Sequence, residues 1–319
     1  MSFSDRAVPS MMDLVRLSRR PLFPPGGVDL YRQIAILTGM SEGDEVLDVA
    51  CGNAVPLEWF VTEYGVHGSG VDADEERVAE AEARVRRRDL QGDLQLQQAP
   101  LDRLPYRDAI FDVAVGELGL TSRADPAAAV RELVRVTRPG GAVALIQLVW
   151  KAPVDAERSR VLADHLGVRP LMLVEWKRLM RAAGVERLHT EDWSDEETAF
   201  RPQVTKPFPD FAELFSLPEK LVILRRAWKR WGVGGVRTAV EREREVHRLL
   251  THERILGLDL LMGVRAAAEP TAAGPGGQGP SDADPEDEGF AAGPPHAEGE
   301  EEGASSGTRG LPLFHGGPR

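Results

Sequence analysis

The sequence contains very little cysteine and no long apolar run. Cys51 is the only cysteine among 319 residues, which excludes an intrachain disulfide framework and a zinc site built from several cysteines. A membrane-spanning helix needs about 20 consecutive apolar residues, and no such run is present. The N-terminus also lacks the basic and apolar pattern of a secretory signal. We therefore expect a cytoplasmic protein without a membrane span.

The sequence also has no excess of basic residues. The chain has a net charge of −12, and residues 267–319 contribute ten Asp or Glu against two Arg. The remaining body is nearly neutral, which makes nucleic acid an improbable partner because binding domains of that kind usually present a strongly basic face. The same segment holds 12 Gly and 8 Pro. We predict that it is a disordered tail, because it cannot bury enough apolar surface to offset the entropy of ordering.

Between residues 28 and 190, short apolar segments alternate with amphipathic ones. Strands separated by helices of ten or more residues are typical of a parallel sheet with crossover helices. The pattern therefore predicts an α/β fold. The predicted strands are 46–50, 66–71, 94–98, 111–115, 142–149, 185–190 and 254–265. The predicted helices are 11–20, 28–38, one that begins near Pro56, 75–88, 126–137 and 173–183.

A loop of mostly small residues follows the first predicted strand. Its sequence is Asp48-Val-Ala-Cys-Gly-Asn-Ala54, and a small residue at a strand-to-helix turn lets a ligand approach the backbone N–H groups of the helix. Asp72 ends the next strand, where nucleotide-binding sheets use an acid for ribose hydroxyls. The full G-x-G-x-x-G pattern is missing, so a pyrophosphate ligand is not favoured. The alternative is that Asp48 and Asp72 cap helices and Gly52 only turns the chain.

Four segments follow one another in the order 46–54, Gly70-Val-Asp72, Leu104-Pro-Tyr106 with Phe111-Asp-Val113, and 131–141. Together they resemble the motifs of the class I S-adenosylmethionine-dependent methyltransferases. The resemblance is strongest to the small-molecule branch that includes the ubiquinone and menaquinone methyltransferases. It covers about residues 28–190 and the strand at 254–265. It implies a Rossmann-like, doubly wound, mostly parallel sheet of seven strands with helices on both faces.

The resemblance also implies S-adenosylmethionine as the cofactor. Asp48 and the loop backbone would hold its methionine part, and Asp72 would bind the ribose hydroxyls. Residues after the third and fourth strands would line the adenine and the methyl-transfer channel. The complete set of predicted cofactor-binding residues is Asp48, Ala50, Gly52, Asn53, Asp72, Ala73, Ala99, Pro100, Leu101 and Gly116.

Three positions depart from the family pattern. Ala50 and Ala54 stand where the family usually has Gly, and Ala costs roughly 1–2 kcal/mol wherever the backbone needs a positive φ. Pro100 stands where the family often has an acid facing the adenine amino group. These departures predict weakened cofactor binding without excluding it.

The acceptor side of the site is less defined. Glu117 follows the fourth strand and is the candidate general base if the acceptor must lose a proton; the alternative is a cap or an ion pair. Tyr31, Trp150 and Trp228 are candidates to line the acceptor, and the alternative for Tyr31 is ordinary packing. The alternative for Trp228 is an amphipathic helix in which Trp228 and Leu224 face the core. No metal site is predicted.

The expected organisation has three parts. Residues 1–27 form an N-terminal helical lid segment, and 28–266 form the methyltransferase domain. Within that domain, residues 195–250 form a helical insert that precedes the last strand and caps the substrate. Residues 267–319 are the tail. We expect in-line transfer of a methyl group to a small molecule. The alternatives are an inactive cofactor-binding module with a regulatory or binding role, and a protein or RNA methyltransferase. The acceptor and the oligomeric state stay open.

Overall fold

A single mixed sheet organises the part of the chain that the computed structural model describes, which is residues 8–17, 22–122, 124–194 and 216–267. Strand order in the sheet is β3-β2-β1-β4-β5-β8-β7, and β6 pairs separately with the end of β5. The strands are β1 (Glu45–Val49), β2 (His67–Asp72), β3 (Leu94–Gln98), β4 (Phe111–Gly116), β5 (Thr137–Trp150), β6 (Leu171–Met172), β7 (Val185–Asp192) and β8 (Leu256–Arg265).

Helices precede the first strand and connect the later ones. They are α1 (Met11–Arg16), α2 (Gly27–Thr38), α3 (Val55–Tyr64), α4 (Glu75–Arg88), α5 (Pro126–Val136), α6 (Ala156–Leu166), α7 (Leu173–Ala182) and α8 (Leu217–Thr251). The bounds of α4 have a clear local cause. The Asp74 side chain accepts hydrogen bonds from Glu76 N and Arg77 N at its start, and three Arg residues in its last turn complement the helix dipole.

The sheet is parallel from β3 to β5 and antiparallel at β8 and β7. Two hydrophobic clusters contain the alternate side chains of its strands, so β1, β4 and β5 are buried on both sides. The predicted Rossmann-like, mostly parallel architecture is therefore confirmed. Strand β8 is the last strand in the sequence, and it returns to the sheet between β5 and β7.

The sequence prediction missed α6 and the two-residue β6. Helix α6 buries only Leu162, His165 and Leu166, which is too few apolar positions for a recognisable helical period. The predicted helical insert at 195–250 agrees with α8 over its second part, while 195–215 and the predicted tail from 268 lie outside the described residues. The division into a lid segment, a domain and a tail stays a prediction.

The expectation that Trp228 and Leu224 face the core was wrong. Trp228 is 62% exposed and Leu224 is 45% exposed. Helix α8 instead turns Ala227 inward, where it forms a small hydrophobic cluster with Leu14 of α1. The physical reason is helix spacing. The small Ala227 side chain lets α1 approach closely, and Trp228, the next residue, lies about 100° around the helix from that contact.

Candidate functional site

Three carboxylates follow neighbouring parallel strands. Asp48 lies near the end of β1, Asp72 ends β2, and Glu117 comes directly after β4. Strand β1 pairs with both β2 and β4, and Asp48 lies opposite Gly70 and Val115 in register. The fold therefore brings the three predicted acids to the carboxyl edge of the sheet, where open α/β sheets bind ligands.

Asp48 is buried without a compensating partner. Its side chain is almost inaccessible, and neither carboxylate oxygen accepts a hydrogen bond within the described residues. Burial raises the pKa of Asp48 well above its ordinary value, and the nearby charges of Glu117 and Asp72 raise it further. A ligand that brings positive charge or hydrogen-bond donors to this position would satisfy it.

Glu117 is held by a tyrosine that is distant in the sequence. The Tyr31 hydroxyl, on α2, lies 2.8 Å from each oxygen of the Glu117 carboxylate, and both residues are buried. Burial raises the pKa of Glu117 to about 7, although the Tyr31 hydroxyl and the Leu118 N–H each favour the ionised form. A carboxyl group with that pKa can both accept and release a proton near neutral pH.

Gln147 on β5 fixes the backbone beside Glu117. Its Nε2 donates to the carbonyl oxygen of Gly116 at 3.2 Å and to that of Glu117 at 2.9 Å. The sequence analysis did not select this residue. The sequence does mark this residue, because Gln147 is the one polar residue in the apolar run 142–150. A buried amide in such a strand needs specific hydrogen-bond partners.

The loop after β1 adopts left-handed backbone conformations. Ala50, Gly52 and Ala54 have φ values of 65°, 56° and 56°. Ala50 and Ala54, the two alanines expected to cost free energy at a positive φ, therefore do adopt the strained conformation. Backbone hydrogen bonds hold the loop against β2, from Ala50 N and Cys51 N to Val71 O at 2.8 and 3.1 Å. A Cβ built at Gly52 would have Arg77 Nη1 as its nearest neighbour, in ordinary van der Waals contact at 3.8 Å, so the Arg77 guanidinium borders this part of the loop.

Asp72 joins this loop to the start of α4. One carboxylate oxygen accepts from Gly52 N and the other from Asp74 N, each at 2.9 Å, and Arg77 Nη1 lies 3.6 Å away. Burial raises the pKa of Asp72, while the two backbone donors oppose that shift. Each oxygen keeps a second lone pair, so Asp72 can still accept hydrogen bonds from two hydroxyls.

The remaining predicted cofactor residues lie on both sides of Asp72. Ala99 N donates to the backbone oxygen of Asp72 at 3.1 Å, and Ala99 and Leu101 belong to the same hydrophobic cluster as Ala50. Pro100, between them, is exposed, whereas Asn53 and Ala73 are half-buried. The buried Ala99 is thus held beside the backbone of Asp72, at the end of β2.

The acceptor-lining candidates have different positions. Trp150 belongs to the same hydrophobic cluster as Tyr31, so both lie in the layer that contains α2. Trp228 is on the outward face of α8 and is not buried against the carboxylates. Among the described residues, no group of three or more His, Cys, Asp or Glu side chains is arranged to hold a metal ion.

These residues fit S-adenosylmethionine. The ligand carries two positive charges, on its ammonium and sulfonium groups, and the site offers three buried carboxylates of which Asp48 has both oxygens unsatisfied within the described residues. Asp72 has acceptor capacity for the ribose, and Gly52, which has no side chain, lets a ligand approach its backbone closely. Ala99 and Leu101 supply buried apolar side chains just after the end of β3, which suits an aromatic base.

Comparisons with known proteins agree. The family described as a methyltransferase domain matches residues 47–145. The chain is 32% identical over 190 residues to 27-O-demethylrifamycin SV methyltransferase of Amycolatopsis mediterranei (strain S699), a match covering 58% of this chain and 68% of that protein.

Solved structures share the fold. A phosphoethanolamine N-methyltransferase 2 of Haemonchus contortus in complex with S-adenosyl-L-methionine aligns with a TM-score of 0.62 and 16% identity, over 83% of this chain and 60% of that one. The [4+2]-cyclase SpnF aligns with a TM-score of 0.57 and 22% identity, over 75% of this chain and 82% of that one. In the described part of the chain, no helix combines the length and the apolar character that crossing a membrane requires.

Proposed function

The chain belongs to the S-adenosylmethionine-dependent methyltransferases of class I fold, and we propose that it transfers the methyl group to a small-molecule acceptor, with Glu117 as the general base. When bound, the cofactor supplies an electrophilic methyl group. The protein's residues then have to hold the two reactants in line, which alone can contribute roughly 7–11 kcal/mol.

The observation that carries the choice of a small acceptor is burial. Glu117, Tyr31 and Asp48 are each less than about a twentieth exposed. A group that must reach Glu117 therefore has to enter the interior of the domain, which a small molecule does more readily than the surface of a folded protein or RNA. The name of the rifamycin-related relative, which describes a small-molecule methyltransferase, supports the same choice.

The roles of the cofactor-side residues are part of the proposal. Asp48 would face the positively charged methionine part, and Asp72 would accept the ribose hydroxyls while it holds the loop through Gly52 N. Ala50, Asn53 and Gly116 would border the methionine part and the methyl channel. Ala73, Ala99, Pro100 and Leu101 would border the adenine.

Glu117 would remove a proton from the acceptor. Its pKa of about 7 means that a large fraction is ionised at neutral pH, and burial makes the carboxylate a stronger base than one in water. Tyr31 would orient the carboxylate through its hydroxyl, and Trp150 would supply apolar packing on the α2 side of the domain. The single cysteine supports the cytoplasm as the place of action.

The test is label transfer. Purified protein is incubated with methyl-labelled S-adenosylmethionine and, separately, with small-metabolite, protein and RNA fractions of cell extracts. We expect label in the small-metabolite fraction, a large loss with Glu117→Gln, and retained cofactor binding by that variant. Label that appears only in protein or RNA would overturn the small-molecule proposal. Full transfer by Glu117→Gln would overturn the assignment of the base.

A further inference from the structure

A stripe of apolar side chains runs along the outward face of α8 before Gly232. Its members are spaced at i, i+4, i+7 and i+11, which places them on one side of a helix. This α8 stripe consists of Leu217, Leu221, Leu224 and Trp228, which are 75%, 69%, 45% and 62% exposed.

Packing of another side of the same helix fixes the outward direction of the stripe. Ile223 and Ala227 are buried, and Arg226 Nη1 donates to Leu17 O at 2.6 Å. At Gly232 the backbone leaves the helical conformation, with φ 68° and ψ 177°. Residues 217–231 are therefore a separate helical segment, and it cannot rotate to bury the stripe without breaking its contacts with the region of α1.

Cationic side chains border the stripe. Residues 217–231 contain five Lys or Arg and one Glu in a chain whose net charge is −12. On the helical projection, Arg225 and Lys229 lie along one border of the stripe and Lys220 lies along the other, and Arg225 and Lys229 are exposed. An apolar face with Trp and Leu and basic borders is the pattern of helices that lie in the interface of an anionic bilayer.

We propose that residues 217–231 form a peripheral docking surface for an anionic phospholipid bilayer. The helix would lie in the plane of the membrane, with the stripe among the acyl chains and its cations at the phosphate groups. A second copy of the chain fits less well, because facing two stripes would bring the two sets of basic borders together. This inference does not depend on which acceptor is methylated.

Vesicle flotation of the full chain tests the proposal. We compare vesicles of phosphatidylcholine alone with vesicles that also contain phosphatidylglycerol, at low and physiological salt. We expect binding to the anionic vesicles only, weakened by salt. Arg225→Gln with Lys229→Gln should lower the partition coefficient about thirtyfold, because each cation at an anionic surface contributes a factor of about five. Leu221→Ser with Trp228→Ser should abolish binding.

The matched control replaces exposed apolar residues outside the stripe. Ile36 on α2 and Val174 on α7 are 63% and 58% exposed, and Ile36→Ser with Val174→Ser should bind vesicles like the wild type. All variants should keep the wild-type melting temperature and cofactor affinity, since the replaced side chains are exposed. Three results would overturn the proposal: no enrichment on anionic vesicles, equal binding by the stripe variants, or a wild-type dimer in sedimentation that only the stripe variants disrupt while vesicles remain unbound.

Discussion

The hydroxyl of Tyr31 on α2 lies 2.8 Å from both carboxylate oxygens of Glu117, which follows β4. The two residues are 86 positions apart in the chain, so the contact joins the helix that precedes the sheet to the proposed catalytic edge. A neutral hydroxyl donor stabilises the carboxylate without adding charge. It therefore lets a buried glutamate stay ionisable near neutral pH.

Tyr31→Phe should shift the pH dependence of methyl transfer. Loss of the hydroxyl removes a donor to the ionised form, so the pKa of Glu117 rises from about 7. Since the base must be ionised, the rising limb of the kcat/KM profile should move to higher pH, by roughly 1–2 pH units for a hydrogen bond to a charged group. The control is Tyr64→Phe on α3, which should leave the limb in place. An unmoved limb in Tyr31→Phe would show that the profile does not report Glu117.

Asp48→Asn should stabilise the free protein at alkaline pH and weaken cofactor binding. The folded pKa of Asp48 is raised by burial, so its carboxyl contributes fully to stability below its unfolded pKa and loses that contribution as pH rises through the folded pKa. Asn does not titrate. The free energy of unfolding of the variant should exceed that of the wild type by about 1–3 kcal/mol at pH 8, and the difference should shrink toward pH 4.

Denaturant titrations at the two pH values measure this difference. Glu117→Gln serves as the comparison, because the pKa of Glu117 is also raised by burial and its stability effect should have the same sign. A larger advantage of Asp48→Asn at pH 4 than at pH 8 would contradict the argument. Calorimetry with S-adenosylmethionine should show weaker binding by the Asn variant. Asp48 would then lower the stability of the free protein but be required for cofactor binding.

The order and type of most elements followed from the sequence because local causes dominate them. Helix α4 is fixed by its Asp74 cap and its basic last turn, and it spans the predicted residues 75–88. Strand β1 is short, apolar and enclosed by neighbours on both sides. The carboxyl edge of a parallel sheet then brings Asp48 and Asp72 together, whatever the details of the side chains.

Other features were not readable from one sequence because they depend on tertiary neighbours. The period of α8 shows which residues share a face, but only the position of α1 decides that Ala227 rather than Trp228 is covered. The pairing of Tyr31 with Glu117 has no local pattern. Likewise, Gln147 was a visible polar exception in β5, yet its two carbonyl partners belong to another strand.

Asp72→Ala should weaken cofactor binding more than removal of an exposed acid does. The change deletes the proposed ribose acceptor and the hydrogen bond that ties Gly52 N to β2. Hydrogen bonds to a charged group contribute about 1.5–3 kcal/mol, so the dissociation constant measured by calorimetry should rise roughly tenfold to a hundredfold. Asp102→Ala, at an exposed position in the loop after β3, should change it little. Equal affinities of the wild type and Asp72→Ala would refute the ribose assignment.

Ala54→Gly should leave the free energy of unfolding nearly unchanged, although Ala54 is buried. Its φ of 56° imposes a strain of about 1–2 kcal/mol on Ala, which Gly relieves. Two losses oppose this gain: the burial of the methyl group, about 0.8 kcal/mol, and the added conformational freedom of Gly in the unfolded chain. Ala81→Gly is the matched control, because Ala81 is equally buried in the middle of α4 and has no such strain to release. It should cost about 2 kcal/mol, from helix propensity and lost burial together. Denaturant unfolding measures the loss of stability in each variant, and the difference between the two losses gives the strain at Ala54. Equal losses would mean that the left-handed conformation costs this loop no free energy.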